Sequence, residues 1–309
     1  MVSAQGRAPT RSNVLDVCPG PLAPASFDNA TLDGMTTLSQ HRSRKALSSA
    51  AWHLYLSECV GTLLLVAVGC SLVVLDFATG SPVVHALPSA AVRRAVTGFL
   101  FGATGGSIAL SPVGRVSGAH INPIVSLAFW RRGRLAPGVA AGYVAAQLVG
   151  AILGALPLLL WGRWATRVHL AATMPGPAGP WVAVLGEVGA TTCLVVGLFV
   201  FLGHRRLRRF TPGLFAPLYA LLVWIEAPLS GTSTNPARSL GPALIGHTWT
   251  AWWVDWIGPL AGLALGLAIL KLPRLALLEE EVAKLYHFHW DPHGILHGTR
   301  RPASRSLPG

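Results

Sequence analysis

Ser230–Leu244 reads SGTSTNPARSLGPAL, and far upstream Ser117–Trp130 reads SGAHINPIVSLAFW. Each is a small-residue turn, then Asn-Pro, then a short apolar run. Asn122 and Asn235 stand where a helix N-cap belongs, and Pro123 and Pro236 take the first helical position, where a missing N–H costs nothing. A helix from Asn122 to Trp130 is roughly 14 Å long at ~1.5 Å per residue, about half of a ~30 Å hydrocarbon core. Two such half-spanning helices entering from opposite faces would meet tip to tip near the midplane. The rest of the chain then supplies the walls around that point.

The composition agrees with a membrane setting. The chain has 309 residues, of which 52% are hydrophobic and only 12% charged, and its mean hydropathy is +0.52. A soluble domain of this length carries more charge. The formal net charge of +12 could suggest a nucleic-acid partner, but the arginines fall in short runs between apolar blocks, as juxtamembrane positives do. No nucleic-acid partner is expected. Cys18, Cys59, Cys70 and Cys193 have neither metal-ligand nor disulfide-framework spacing and read as small hydrophobes. The first apolar run begins near Ala50, so no N-terminal signal peptide is expected.

Along the chain, residues 1–49 read as a disordered tail rich in Pro, Ser, Ala and Arg, ending in the basic patch 41–45. Six spans follow within a channel domain of 50–271, at about 52–75, 92–110, 136–160, 181–202, 212–228 and 252–270. The Asn-Pro segments lie after the second and fifth spans. Residues 272–309 form a second tail, where His287, His289, His293 and His297 could reach a metal but nothing fixes their geometry. A surface amphipathic segment is expected there instead. Placing both termini inside puts the basic runs at 42–45, 131–134 and 205–209 in the cytoplasm and leaves only Arg93, Arg94, Arg163 and Arg167 outside, as the positive-inside rule prefers.

An internal repeat supports this arrangement. Glu58 and Thr62 in the first span recur as Glu187 and Thr191 in the fourth, and Asn122-Pro123 recurs as Asn235-Pro236. Three spans and a half-helix, repeated across an odd number of crossings, give halves of opposite orientation. The predicted fold is an all-α membrane protein with six transmembrane helices and two half-spanning re-entrant helices.

Over about residues 50–271 the sequence resembles the aquaporin (major intrinsic protein) family. The likeness rests on Ser117-Gly118-Ala119-His120 before Asn122-Pro123, and on Ser230-Gly231 before Asn235-Pro236-Ala237-Arg238-Ser239. Glu58, Gly61, Thr62, Gln147, Gly150 and Gly258-Pro259 add to it. It implies a pore midpoint at Asn122, Pro123, Ile124, Asn235, Pro236 and Ala237, with the amide NH2 groups facing the lumen. It implies a selectivity filter of Arg238, Val223 and Thr232, with Phe101 or Gly102 from the second span. It also implies that Glu58 and Glu187 hold the loops ahead of the half-helices, with His120 bonding loop backbone or, alternatively, gating the inner vestibule.

Two residues depart from the family pattern: water-selective members usually carry histidine where Val223 stands, and Ile124 replaces the usual alanine. Ser239, where glycerol-type members usually have aspartate, points back towards water. The expected function is a passive channel for water and small uncharged solutes that excludes ions and protons. The resemblance further implies a homotetramer in a lipid bilayer, and the plain basic tails suit a bacterial inner membrane. No cofactor, metal or enzymatic group is expected. The rival reading is a proton-coupled transporter using Glu58 and Glu187, since intramembrane carboxylates are functional by default.

Overall fold

The computed structural model of the chain describes residues 29–278, 280 and 282–297, with side chains from Ala51 onward. The chain divides into two compact units, Met1–Lys45 and Ala46–Gly309. The second holds every helix except the N-terminal part of the first. The helices are α1 (Asn29–Phe77), α2 (Pro82–Ala86), α3 (Ala90–Leu110), α4 (Pro112–Ser117), α5 (Pro123–Arg131), α6 (Pro137–Ala155), α7 (Arg163–Arg167), α8 (Pro180–Gly203), α9 (Thr211–Ser230), α10 (Pro236–Ile245) and α11 (Val254–Ile269). A 3₁₀ stretch, Leu156–Trp161, extends α6.

Helix α1 is continuous from Asn29, so residues 29–49, which the sequence assigns to a disordered tail, are helical. Residues 1–28 of that tail lie outside the described residues. Four stretches are long and apolar enough to cross a membrane: Ala51–Phe77, Pro137–Trp161, Pro180–Gly203 and Arg208–Ser230. Helix α11 is equally apolar and shorter. Helix α3 has the length, but its glycines and Arg93-Arg94 dilute its hydropathy. Large apolar side chains such as Leu160, Trp181 and Leu185 point outward, as a lipid-facing surface requires.

Glycines let the long helices touch. A methyl group added at Gly98, Gly102 or Gly106 of α3 would fall within 2.1–2.3 Å of the backbone oxygens of Tyr219, Phe215 and Pro212 on α9. Gly150 and Gly154 of α6 meet the carbonyls of Cys59 and Leu63 on α1 in the same way, and Gly258 and Gly262 of α11 meet Glu187 and Thr191 on α8. Such small-residue seams are how helices associate where lipid removes the hydrophobic drive. First span against third, and fourth against sixth, are equivalent pairs of the predicted repeat.

Two short helices break the spans. Gly118 (φ 92°) closes α4 and Gly231 (φ 85°) closes α9, both in the left-handed region that only glycine enters without strain. The chain then turns into α5 and α10, each only nine or ten residues long and each opened by Asn-Pro as the spacing predicts.

A Gly150→Ala protein should lose about 1–3 kcal/mol of stability, because the methyl has backbone and no yielding side chain in its way. Thermal unfolding in detergent, followed by tryptophan fluorescence, checks this. Gly138→Ala, with nothing within 4 Å of the added carbon, should unfold like the parent.

Candidate functional site

The two loops before α5 and α10 share one hydrogen-bond scheme. Glu58 accepts from the Ser117 hydroxyl (2.6 Å) and from the backbone N–H groups of His120 (2.9 Å) and Ile121 (2.6 Å). Glu187 accepts from the Ser230 hydroxyl (2.5 Å) and the N–H groups of Ser233 (2.5 Å) and Thr234 (2.7 Å), which are the matching positions. Both carboxylates are fully buried. Backbone conformation repeats as well: Ala119 and Ile121 in one loop, and Thr232 and Thr234 in the other, have φ between 42° and 56°. Left-handed turns of this kind aim successive N–H groups at one point, and each costs of order 1–3 kcal/mol unless its surroundings enforce it. Here the carboxylates enforce it.

The asparagines close the two halves on each other. Asn122 Nδ2 donates to the Thr234 carbonyl (3.0 Å) and Asn235 Nδ2 to the Ile121 carbonyl (2.9 Å). Their Oδ1 atoms cap the half-helices, taking the N–H of Ile124 (2.8 Å) and of Arg238 (3.3 Å). Each helix N-terminus carries about +0.5 charge, and the two converge on one cavity of about 40 Å³ lined by Phe101, His120, Asn122, Tyr219 and Asn235 among others. That is room for about three waters at ~10–15 Å³ apiece. Pro123, Pro236 and Ala237 are buried at the helix starts. Ile124 is fully buried in an apolar cluster with Val125 and Phe129, whereas Ala237 belongs to a separate one with Val66 and Ala151.

Beside the cavity, Arg238 is buried, donates to the Ala171 carbonyl (3.0 Å), and lies 5.7 Å from the Phe101 ring centre. Of the two second-span candidates, Phe101 therefore faces the arginine, while Gly102 sits against α9 at the cavity wall. Val223 is half-buried beside Gly98. Thr232 is buried, and its N–H bonds the Ser230 hydroxyl (3.0 Å).

Sequence reading missed several residues. Tyr219 lies one turn before Val223 on the same face of α9, a spacing that was available to find it. Ala171 had no signal, because its left-handed run with His169 and Leu170 is set by tertiary structure. Glu226, buried, bonds the Ser230 hydroxyl, and Asp255 accepts from Thr173 (2.6 Å), which also bonds Ser239 (2.7 Å) behind the second loop.

A model of the major intrinsic protein family matches residues 45–270. The chain is 33% identical over 252 residues to the lens fiber major intrinsic protein of Gallus gallus, covering 78% of this chain and 90% of that protein. It is 32% identical over 235 residues to Aquaporin Z of Rhodopseudomonas palustris, covering 71% and 92%. Its fold is shared with the aquaglyceroporin from Plasmodium falciparum at a TM-score of 0.61 and 18% identity, over 74% of this chain and 98% of that one. The chain belongs to the major intrinsic protein family. It is a membrane channel through which water and small solutes move passively, and not an enzyme.

Beneath the first loop lies a segment that the sequence reads as a surface amphipathic stretch. Its described residues are not helical, and residues 282–285 and 295–296 are buried. His120 Nε2 donates to the Ala283 carbonyl (3.0 Å), Leu285 N–H donates to the Gly118 carbonyl (3.1 Å), and Lys284 Nζ donates to the Arg115 carbonyl (2.5 Å). Arg132 pairs with Glu280 (2.7 Å), and the Arg115 guanidinium lies 3.7 Å from the Trp290 ring centre. A carbonyl can only accept, so His120 carries its proton on Nε2 and takes the Ser126 hydroxyl on Nδ1 (3.1 Å). His297 pairs with Asp291 (2.6 Å) and His287 with the Leu110 carbonyl (3.0 Å).

Burial pushes Lys284 down to about 8; Asp291 opposes the shift and Arg115 adds to it. A detached segment would return the amine to its ordinary value near 10.4. Between those values the docked form holds fewer protons, so docking strengthens as pH rises from about 8 towards 10.5. Chymotryptic cleavage after Tyr286 and Phe288, normalised to a reference peptide, should slow several-fold from pH 7 to pH 9.5. Lys284→Met should flatten that dependence. Equal slopes in both proteins would exclude Lys284 as its source.

Proposed function

We propose that the chain conducts water in single file, admits small uncharged solutes as far as its constriction allows, and excludes ions and protons. The observation that carries this is the convergence of Asn122, Asn235 and the two half-helix N-termini on one cavity. Each asparagine NH2 has two N–H bonds, one committed to the opposite loop. The remaining two donate to a passing water. That water turns its lone pairs to the midpoint and its hydrogens away in both directions, so no proton can be relayed through it. The positive helix ends and Arg238 repel cations, hydronium included. Pro123, Ile124, Pro236 and Ala237 shape the midpoint; Arg238, Phe101, Val223 and Thr232 form the outer ring, with Gly102 admitting α9 beside it.

Glu58, Glu187 and His120 are loop supports in this reading. Coupled transport is disfavoured because each carboxyl group is engaged by three loop donors and neither lines the cavity. The channel occupies 50–271, with 1–49 and 272–309 as cytoplasmic extensions. The clustering of Lys and Arg supports that orientation, and a bacterial inner membrane fits the likeness to Aquaporin Z. The outward apolar faces suit a homotetramer with one pore per subunit.

Stopped-flow light scattering on proteoliposomes tests the reading. An impermeant osmolyte should produce fast shrinkage, unchanged when the proton gradient is collapsed. Shrinkage no faster than in empty liposomes, or solute uptake that stops without the gradient, would reject the passive pore.

A further inference from the structure

Phe215, Tyr219 and Val223 repeat at every fourth residue of α9 and so share one face. Phe215 and Tyr219 line the cavity, with Tyr219 about 6 Å inward of Val223 along the helix. The Tyr219 ring stacks on Phe101 with centroids 6.1 Å apart and planes at 29°. Phe101 in turn neighbours Arg238. The narrow part of the lumen thus carries two aromatic rings in succession from the arginine towards the asparagines.

The phenol is fixed in place. Tyr219 Oη lies 3.0 Å from Thr234 Oγ1, and Thr234 commits its own hydroxyl proton to the Ser233 carbonyl (2.8 Å). The phenol proton therefore goes to Thr234 Oγ1, and the Tyr219 oxygen keeps its lone pairs for whatever occupies the cavity. Thr234 cannot yield, because its N–H is held by Glu187 and its carbonyl by Asn122. The result is a rigid ring across from two amide donors, presenting an acceptor to the file.

We propose that Tyr219 is a specificity-determining residue: its ring sets the size limit of the pore, and its oxygen is an acceptor between the donors Asn122, Asn235 and Arg238. A water can donate to Tyr219 and accept from an asparagine within one step. A triol such as glycerol meets the ring before its backbone can follow its leading hydroxyl. The pore is then selective for water although Val223 leaves the outer ring wide.

This rests on the passive-pore reading, and the test separates the two. Water and glycerol permeabilities are measured by stopped-flow on proteoliposomes holding equal amounts of parent, Tyr219→Ala, Tyr219→Phe and Tyr219→Ala/Val223→Tyr proteins. The parent should pass water fast and glycerol no faster than empty liposomes. Tyr219→Ala should raise the ratio of glycerol to water permeability about tenfold or more. Tyr219→Phe should keep glycerol out and slow water, having the ring without its oxygen anchor. The double variant restores a ring one turn outward and should return glycerol towards the parent value. Glycerol passing through the parent, or unchanged in a Tyr219→Ala protein that still conducts water, overturns the proposal. Tyr219→Leu, which keeps apolar packing, is read in the same way if the alanine protein does not assemble. A parent with no water flux fails the pore reading itself.

Discussion

Backbone N–H groups at membrane depth have no water to bond, and each one left unsatisfied costs several kcal/mol. A chain that must be non-helical there, as this one is ahead of α5 and α10, needs an internal acceptor with room for several donors. Glu58 and Glu187 are those acceptors. A carboxylate offers about four lone-pair sites, and each takes two adjacent loop N–H groups and a serine hydroxyl. Everything at the midpoint follows. The loops hold left-handed turns, the turns deliver Asn122 and Asn235, and the asparagines cap the half-helices while bonding the opposite loop. The intramembrane carboxyl groups are here a construction material, buried and absent from the cavity lining.

The two halves keep this backbone scheme and diverge behind it. On the first side Gln147 donates to Glu58 (2.7 Å) and to Ser126 (2.9 Å), and Tyr143 donates to the Ser117 carbonyl (2.8 Å). A neutral amide and a phenol thus complete the shell, and the segment around Ala283 seals it from below. On the second side the shell is acidic: Glu226 shares the Ser230 hydroxyl with Glu187, and Asp255 holds Thr173 and through it Ser239. The inverted repeat therefore fixes what the loops do, while the surroundings of each loop are specific to its own face of the membrane.

Most of this framework was legible in the sequence because it rests on local rules. Asn-Pro marks a helix start, glycine marks a left-handed stop, and a carboxylate inside an apolar span demands a partner. The spans and half-helices follow from those rules within a few residues, and Glu58 and Glu187 could be paired by their matching positions. What was not legible depends on tertiary contact. The choice between Phe101 and Gly102 needed the approach of Arg238. The carbonyl of Ala171 reaches that arginine only through a strained loop. The segment 282–297 carries aromatic, basic and histidine residues that read as a surface stretch. Its docking combines burial of Ala283, Leu285, Ile295 and Leu296 with bonds to the Gly118 and Ala283 carbonyls, partners that composition cannot reveal.

The polar groups around the lumen explain why such a pore can be fast. Arg238 is held by a neutral carbonyl, so that contact leaves its positive charge unpaired, and in the proposed pore this charge acts against cations. The asparagines likewise spend one N–H on a carbonyl and keep one. The same cavity is also lined by Leu65, Val125, Leu194 and Phe215, which offer water nothing to bond. Conduction needs sites favourable enough to enter and weak enough to leave. A lining with few polar groups among apolar ones meets both conditions, since a water regains part of its lost hydrogen bonding at each polar group but is never held from all sides. The same low-dielectric wall strengthens the repulsion felt by a cation, so speed for water and rejection of charge come from one arrangement.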